Sequence, residues 1–595
     1  MNLKQSLAEE STVFLDSGFT GQPLLFRNPE QKITAHSPAD IKPALKRIDR
    51  ALNAGYFCPG YISYEAGRAL MNMPLEETGS PLLWFGVYSR PEELPADFDH
   101  LRPAPPAIQP KAEIDYERYI SGFRQVKDYI RAGDTYQVNY TFRLGFEPGI
   151  SPEELFLRLR QHHPVPFSAF IQNQKYTIAS HSPELFLRRE GDRLLSRPMK
   201  GTAPRGRTVS EDNRRRRDLR ESEKERAENL MIVDLLRNDL GKVGKIGTVE
   251  VPRLFAVEQY ESVHQMVSTV ETVPTGETPY EIFKALFPCG SITGAPKRRT
   301  MEIIREVEAS PREIYTGSVG LFTPDGDFCF NIAIRTLFYE QGTSRARLGT
   351  GGGVVIDGEG EKEWAESWLK TEFLNSEKPD FSLVETIRFS PSEGLPRLAG
   401  HLERLEKSAG YFSIPLDRSA VRGRIIERLR DRQTPAKVRL LLERSGEVNL
   451  EVSELPGKPA QVRVSLASRD LEPREVPHLR HKTTFRPTYN KLRTRAGEQN
   501  FFDYLLLDES GYLTEGTITN IFVQIDDRFY TPPLERGLLP GVMRDRLLEN
   551  GAEVRDIHRK ELLEADNLYL TNALRGKMAV DYLELPKKDE VVSYP

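Results

Sequence analysis

Cysteine is scarce in this chain: Cys58, Cys289 and Cys329 are its three copies in 595 residues. So sparse and odd a set excludes a disulfide framework and a cysteine-based zinc site. Long apolar runs are lacking too, and no stretch approaches the roughly 18 residues of a membrane-crossing helix. The opening residues MNLKQSLAEESTVFLDSGFT carry Glu9, Glu10 and Asp16 and have no apolar centre of secretory-signal length. The expected location is therefore cytoplasmic, with no membrane partner. An excess of one charge is also missing, since 83 basic residues face 87 acidic ones for a formal net charge of −4. That balance argues against nucleic acid as a partner. The one basic run, Arg214 to Arg217, lies in EDNRRRRDLRESEKERAEN, whose mixed charges predict a solvated helix with intrahelical pairs. Repeats and low-complexity tracts are absent.

What is present is an ordinary globular composition, 38% hydrophobic and 29% charged, in a chain long enough for two to four domains. The stretch Arg90 to Lys111, rich in Pro, Ala and acids, reads as a surface connection. A second break at NSEKPDF, Asn375 to Phe381, sets two expected domains, 1–375 and 376–595. In the first, Tyr119, Phe123, Val126 and Ile130 have helical spacing, with Gly133 as the stop. LFLRREGDRLLSR reads as a hairpin around Gly191-Asp192. ERAENLMIVDLLRNDLG reads as a buried helix ending at Gly241, with Leu230, Val233, Leu236 and Leu240 as one apolar stripe. In the second, HLERLEKSAGYF and VMRDRLLENG read as helices. FSLVETIRF reads as a strand, and VRLLLERSGEVNLEVSEL and YLLLDESGYLTEGTITNIFV as hairpins.

Carboxylates carry the first chemical signal. Glu225 and Glu228 lie on the apolar helix, where buried carboxylates need a partner or a metal. In EKEWAESWLK, Glu363, Glu366 and Lys370 share one helix face while Trp364 and Trp368 pack inward. Two glutamate pairs on two helices suit Mg²⁺, which takes a few carboxylates plus waters and substrate oxygens. Read alone, each pair is more often a surface salt-bridge partner. The glycines of LGTGGGVVIDG, read as preceding a strand, and of PCGSITGAPKRR, read as preceding a helix, suit backbone amides approaching an anion, although neither has P-loop or dinucleotide spacing.

In order, SPELF, RPMKGT, AENLMIVDLLRNDLG, PCGSITGAPK, NIAIRT and GTGGGVVIDGEGEKEWAESWLK resemble the motifs of chorismate-utilising enzymes, over roughly the first 375 residues. That family includes anthranilate synthase component I, aminodeoxychorismate synthase component I, and isochorismate and salicylate synthases. The resemblance implies an α/β (α+β) sandwich of two antiparallel sheets with helices outside. Lys200 of RPMKGT resembles the lysine of aminodeoxychorismate synthases, where the other branches carry a small residue. A buried lysine of lowered pKa is a nucleophile. By resemblance, Lys200 adds at C2 of chorismate as the C4 hydroxyl leaves, and ammonia then adds at C4. Glu184 matches the general acid and base. Glu228 and Glu366 match the Mg²⁺ ligands, with Glu225 and Glu363 beside them. His264, Thr293, Tyr315, Arg335, Gly351, Gly352, Gly353 and Lys370 match substrate-binding positions. Without the family, His264 reads as a core histidine. None of the three cysteines has the glycine-flanked elbow of a glutaminase, so ammonia is expected from a separate glutamine amidotransferase subunit or from solution.

From Phe381 onward, VETIRF, GHLERLEKSA, RHKTTFRPTYN, YLLLDESGYLTEGTITNIFV, YTPPLERGLLPGVMRD and LYLTNALRG resemble the fold-type IV pyridoxal-phosphate enzymes. These comprise aminodeoxychorismate lyase, D-amino-acid aminotransferase and branched-chain aminotransferase. The resemblance implies two α/β subdomains, pyridoxal 5'-phosphate between them, and a homodimer formed through this domain. Lys482 matches the cofactor-anchoring and proton-moving lysine, and Glu515 the carboxylate that pairs with the pyridine nitrogen. Arg404 matches a phosphate binder. Gly541, Val542 and Met543 place backbone amides at a helix start. Thr519 and Asn520 line the cofactor, and Thr571 and Asn572 border the pocket. The fold supports lyase and aminotransferase chemistry alike. Its fusion to the first domain points to the lyase and to 4-aminobenzoate, a folate precursor.

Overall fold

The computed structural model describes residues 2–95, 98, 102–206, 208–260, 263–470, 478–585 and 591–593. It divides into one unit of residues 1–204 and 216–378 and another of 205–215 and 379–595. Residues 205–215 belong with the second unit, where the Tyr411 hydroxyl donates to the Gly206 carbonyl at 3.0 Å.

The first unit holds two antiparallel sheets of nine and ten strands. The nine-stranded sheet is centred on Gln137–Phe146, Ala346–Val354, Thr336–Glu340 and Tyr176–Ser182. The ten-stranded sheet runs from Met199–Pro204 through Val263–Thr272, Arg193–Arg197, Leu185–Glu190 and Phe328–Asn331 toward Cys58–Ile62 and Leu83–Val87. Strands buried on both faces read as near-continuous apolar runs. Leu83–Val87 (LWFGV) is such a run and is buried throughout. Val13, Leu15, Phe26, Tyr61, Trp84, Ile171, Val319 and Phe338 form one core. Two further clusters are capped by helices. Each large side chain so buried contributes about 2–3 kcal/mol.

The helix Tyr116–Arg131 begins where the Asp115 side chain accepts from the Arg118 amide, and it buries Tyr119, Phe123 and Val126. The hairpin at Gly191-Asp192 pairs Glu190 with Arg193. Residues 96, 97 and 99–101 of the expected surface connection lie outside the described residues. The helix Glu223–Gly241 buries Ile232, Val233, Leu236 and Leu240, but Leu230 is 50% exposed, so the stripe expected from Leu230 is shorter than its spacing implied. The glycines of LGTGGGVV lie inside the strand Ala346–Val354 rather than before one.

In the second unit, Leu383–Phe389, Ala436–Leu442 and Val448–Glu454 form a three-stranded antiparallel sheet, packed by the helices Leu398–Phe412 and Arg418–Leu429. Two five-stranded sheets follow. One contains Arg463–Ser468, Asp503–Leu507 and Leu513–Gly516, and the other Asn520–Ile525, Arg528–Thr531 and Asn567–Asn572. They enclose a core of Val464, Leu505, Ile521, Val523, Leu568 and Leu570.

Candidate functional sites

The first site is built over a floor of glycine. Gly351, Gly352 and Gly353 pair with Thr141, Tyr140 and Asn139 of the neighbouring strand. A Cβ on Gly351 would lie 2.3 Å from the Tyr140 carbonyl oxygen, and φ there is +156°. On Gly352 it would lie 3.0 Å from Glu363 Oε2, and on Gly353 3.2 Å from Lys200 Nζ. Bare backbone thus lets side chains from three elements converge. Lys200 comes from the strand Met199–Pro204 and is half-buried, with Nζ 3.4 Å from Glu228 Oε2. It is less enclosed than the buried lysine expected from the sequence. Lys370 Nζ donates to the Gly351 carbonyl at 2.9 Å and pairs with Glu366 Oε1 at 2.9 Å. Trp364 anchors the helix carrying these acids by stacking on Phe142 at 4.8 Å.

Neighbouring carboxylates act on two of the four glutamates, Glu225 and Glu363. Burial pushes the Glu225 carboxyl up and Glu228 adds to the rise. Burial does the same at Glu363, helped by Glu366. At Glu366 burial is outweighed by Lys370, and the net shift is downward. Among the described residues no three His, Cys, Asp or Glu side chains form a compact metal cluster. Mg²⁺ needs only one or two carboxylates when waters and substrate oxygens complete its shell. The donor set fits that loose mode, because the carboxylate neighbours that help raise Glu225 and Glu363 also favour a cation there.

Glu184 is buried, and burial lifts its carboxyl to about 7 against donation from Ser291 and Met199 and the charge of Lys200. Ser291 Oγ donates to Glu184 Oε1 at 3.1 Å. Thr293 is buried with its hydroxyl committed to the Cys289 and Gly290 carbonyls, while its own carbonyl accepts from Asn139, opposite Gly353. Tyr315 packs under Gly349 with the Arg143 guanidinium 4.9 Å from its ring. His264 is fully buried in Val263–Thr272, in register with Ala203. Arg335 is half-buried at φ +49°, in the left-handed region, and Nη1 donates to His163 Nε2 at 2.8 Å. Ser291 and His163 escaped the sequence reading. Ser291 sits inside a quoted motif, whereas nothing local marks His163.

In the second unit, Lys482 is driven down to about 8, first by burial and then by Arg404 and Arg486. Glu515 is buried. It accepts from Tyr489 Oη at 2.9 Å, Arg486 Nη2 at 3.1 Å and the Leu539 amide at 3.0 Å. Arg404 forks onto Glu385 at 2.8 and 2.7 Å, and its Nη1 donates to the Pro540 carbonyl at 3.0 Å. Glu385 also meets His401 Nδ1 at 2.6 Å. Burial opposes its ionisation, yet Arg404 and His401 hold its carboxyl at about 2. Asn520 Nδ2 donates to the Leu539 carbonyl, and a Cβ on Gly541 would lie 1.9 Å from Asn520 Oδ1. Val542 and Met543 open the helix Val542–Glu549.

Not every expected residue faces this cluster with its side chain. Thr519 Oγ1 donates to Asp503 Oδ2 at 2.8 Å, Thr571 Oγ1 to the Asn520 carbonyl at 3.4 Å, and Asn572 caps its own turn at Leu574 and Arg575. Glu385, Arg486 and Tyr489 are members that sequence reasoning missed. The set fits pyridoxal phosphate. It offers a lysine brought toward neutrality, a buried carboxylate, and a helix N-terminus beside a glycine with no room for a side chain.

Residues 10–376 match the family model described as chorismate binding enzyme. The chain belongs to that family. Residues 382–582 match the model for amino-transferase class IV. Among relatives, anthranilate synthase component 1 1 of Haloarcula marismortui is 46% identical over 258 residues, 43% of this chain and 52% of that protein. Aminodeoxychorismate synthase component 1 of Bacillus subtilis is 40% identical over 260 residues, 44% of this chain and 55% of that protein. Its Escherichia coli counterpart is 42% identical over 261 residues, 44% of this chain and 57% of that protein. The match thus spans about half the length of these relatives. Anthranilate synthase component I of Streptococcus pneumoniae shares the chorismate-binding fold at TM-score 0.53 and 23% identity, covering 62% of this chain and 93% of its own. The Escherichia coli isochorismate synthase MenF does so at TM-score 0.51 and 15% identity, covering 63% and 91%.

Proposed function

We propose that the first unit converts chorismate and ammonia to 4-amino-4-deoxychorismate, and that the second releases pyruvate from this product to give 4-aminobenzoate. The observation that carries the reading is Lys200, whose ammonium stands over Gly353 beside Glu228 and acts electrostatically on Glu184. Relatives named for anthranilate and for aminodeoxychorismate formation have similar identity, so overall similarity does not decide between them. A nucleophilic amine over the glycine floor favours the para product.

In this mechanism Lys200 loses a proton and adds at C2, the ring double bonds shift, and the C4 hydroxyl leaves as water with a proton from Glu184. Ammonia then adds at C4 and expels the lysine. Arg335 and Lys370 supply positive charge for the substrate's two carboxylates. Glu228 and Glu366, with Glu225 and Glu363, would hold Mg²⁺, which would supply Lewis-acid stabilisation of the ring carboxylate. The three cysteines are buried, and burial lifts their thiols to about 12, 12 and 11, an environment for inert thiols rather than a glutaminase nucleophile. A separate glutaminase subunit, or free ammonia, is the source that fits.

In the second unit Lys482, Glu515, Arg404, Asn520 and the amides of Val542 and Met543 would hold pyridoxal phosphate, which would supply an electron sink at the substrate amine. Lys482, whose proton affinity burial lowers, removes the C4 proton as the enolpyruvyl group departs as pyruvate and the ring becomes aromatic. Cytoplasmic location and dimerisation through residues 376–595 belong to the same proposal. The class IV match supports a second reading of this unit, as an aminotransferase for D- or branched-chain amino acids. Incubation with chorismate, Mg²⁺ and an ammonium salt, with and without pyridoxal phosphate, separates these readings. 4-Aminobenzoate plus pyruvate supports both halves. Accumulated 4-amino-4-deoxychorismate removes the lyase, and anthranilate or isochorismate alone removes the role of Lys200.

A further inference from the structure

Arg335 is an arginine supported by a neutral base. Its Nη1 donates to His163 Nε2 at 2.8 Å, and its carbonyl accepts from the His181 amide at 3.0 Å. Burial and Tyr260 are the influences that act on its charge, and among the described residues no carboxylate pairs with it. His163 ends the helix Pro152–His162, donating its own amide to the Leu159 carbonyl, and its ring packs on Phe373 with centroids 5.6 Å apart. The charged and titratable groups facing it are Arg335 and Lys378, with His181 behind, itself beside Arg160. Burial, then Arg335 and Lys378, hold His163 neutral, down at about 3. It therefore presents a lone pair and no charge at working pH.

Among arginines elsewhere in this unit, Arg312 ends on Glu308 and Arg160 on Asp16, whereas Arg68 and Arg143 end on backbone carbonyls. An acid would orient Arg335 equally well but would neutralise it. We propose that His163 is the positioning residue of the first site, fixing the Arg335 guanidinium through a neutral acceptor so that its full positive charge is left for a carboxylate of the substrate. The inference rests on the reading of Arg335 as a carboxylate binder. It adds that the choice of histidine over an acid sets affinity for a dianion. The left-handed backbone at Arg335 agrees, because a strained residue persists where its surroundings over-determine it.

The test uses the full chain, with steady-state kinetics on chorismate at saturating ammonium and Mg²⁺, and thermal melting of every variant. His163→Ala is expected to raise KM about tenfold with kcat within about twofold, the scale of one hydrogen bond to a charged group. His163→Gln, whose amide oxygen accepts, restores most of the loss. His163→Glu raises KM beyond His163→Ala, because it orients Arg335 but cancels its charge. Arg335→Gln raises KM at least as much. If Arg335→Gln raises KM and the His163 variants do not, the inference falls alone. If Arg335→Gln leaves KM unchanged, the reading of Arg335 falls first and takes the inference with it. A His163→Glu enzyme matching the wild type overturns the charge argument. Loss of melting temperature with kcat and KM changing together, unrescued by His163→Gln, reduces His163 to a packing role.

Discussion

The two sites handle buried charge in opposite ways. In the first, Glu184 has only neutral donors, the Ser291 hydroxyl and the Met199 backbone, with Lys200 as the charge acting on it, and its carboxyl rises to about 7. In the second, Glu385 sits between Arg404 and His401 and its carboxyl falls to about 2. Both acids are buried, so burial alone does not set the direction; the partner does. In the first, the buried acid is left under-compensated, which suits the proton transfer proposed for Glu184. In the second, Arg404 is locked to a full counter-ion and held in place.

The sharpest way to break this comparison is to silence one site and watch the other. Lys200→Ala should cut chorismate consumption about a thousandfold or more while leaving pyruvate release from supplied 4-amino-4-deoxychorismate intact. Lys482→Ala should do the reverse, with the intermediate accumulating on chromatography. Loss of both steps in either variant would mean that the chemistry is not divided as proposed.

Removing Glu385 tests the locked site. Glu385→Leu strands Arg404 and His401 in a buried setting and should destabilise the second unit by about 3 kcal/mol in denaturant unfolding. A loss under about 1 kcal/mol would show that Arg404 finds another partner. The pH signs also differ. Glu385 is depressed from 4.5, so its contribution is present above pH 4.5 and is lost as pH falls toward 2. Glu184 is raised from 4.5 to about 7, so the folded chain holds a proton that the unfolded chain has released. Its contribution is complete below pH 4.5 and is lost as pH rises through 7. Glu184→Gln should flatten stability between those two pH values. Glu65, also lifted to about 7 by burial, contributes a further part of that slope, which Glu65→Gln should reduce.

Local patterns in the sequence carried the helices Tyr116–Arg131 and Leu398–Phe412 and the hairpin at Gly191, because side-chain period and turn chemistry are local. Ordered motifs pointed to Lys200, Glu184, Lys482 and Glu515 as candidates. The supporting residues were out of reach for a physical reason. His163 and Arg335 are 172 positions apart, and Glu385 and Arg404 lie on a strand and a helix, so no periodicity links either pair. The run at Gly351 misled in its own way. The run reads as preceding a strand, yet close approach of the Tyr140 carbonyl demands glycine at Gly351 inside one.

Ser291 gives the smallest effect and the finest test of the partner argument. Its hydroxyl donates to Glu184 and so favours the ionised carboxylate, working against burial. Ser291→Ala removes this side-chain donor, and the carboxyl should rise further above about 7. The alkaline limb of the pH–rate profile for chorismate should then move up by less than about one pH unit, with the limiting rate unchanged. The Arg404 cation with the His401 ring depresses Glu385 far more than the Ser291 hydroxyl restrains Glu184, so a small displacement is what the comparison requires. An unmoved limb would mean that Ser291 does not set the protonation of Glu184. A downward move would mean that Ser291 stabilises the protonated acid, and the contrast between the two sites would need another cause.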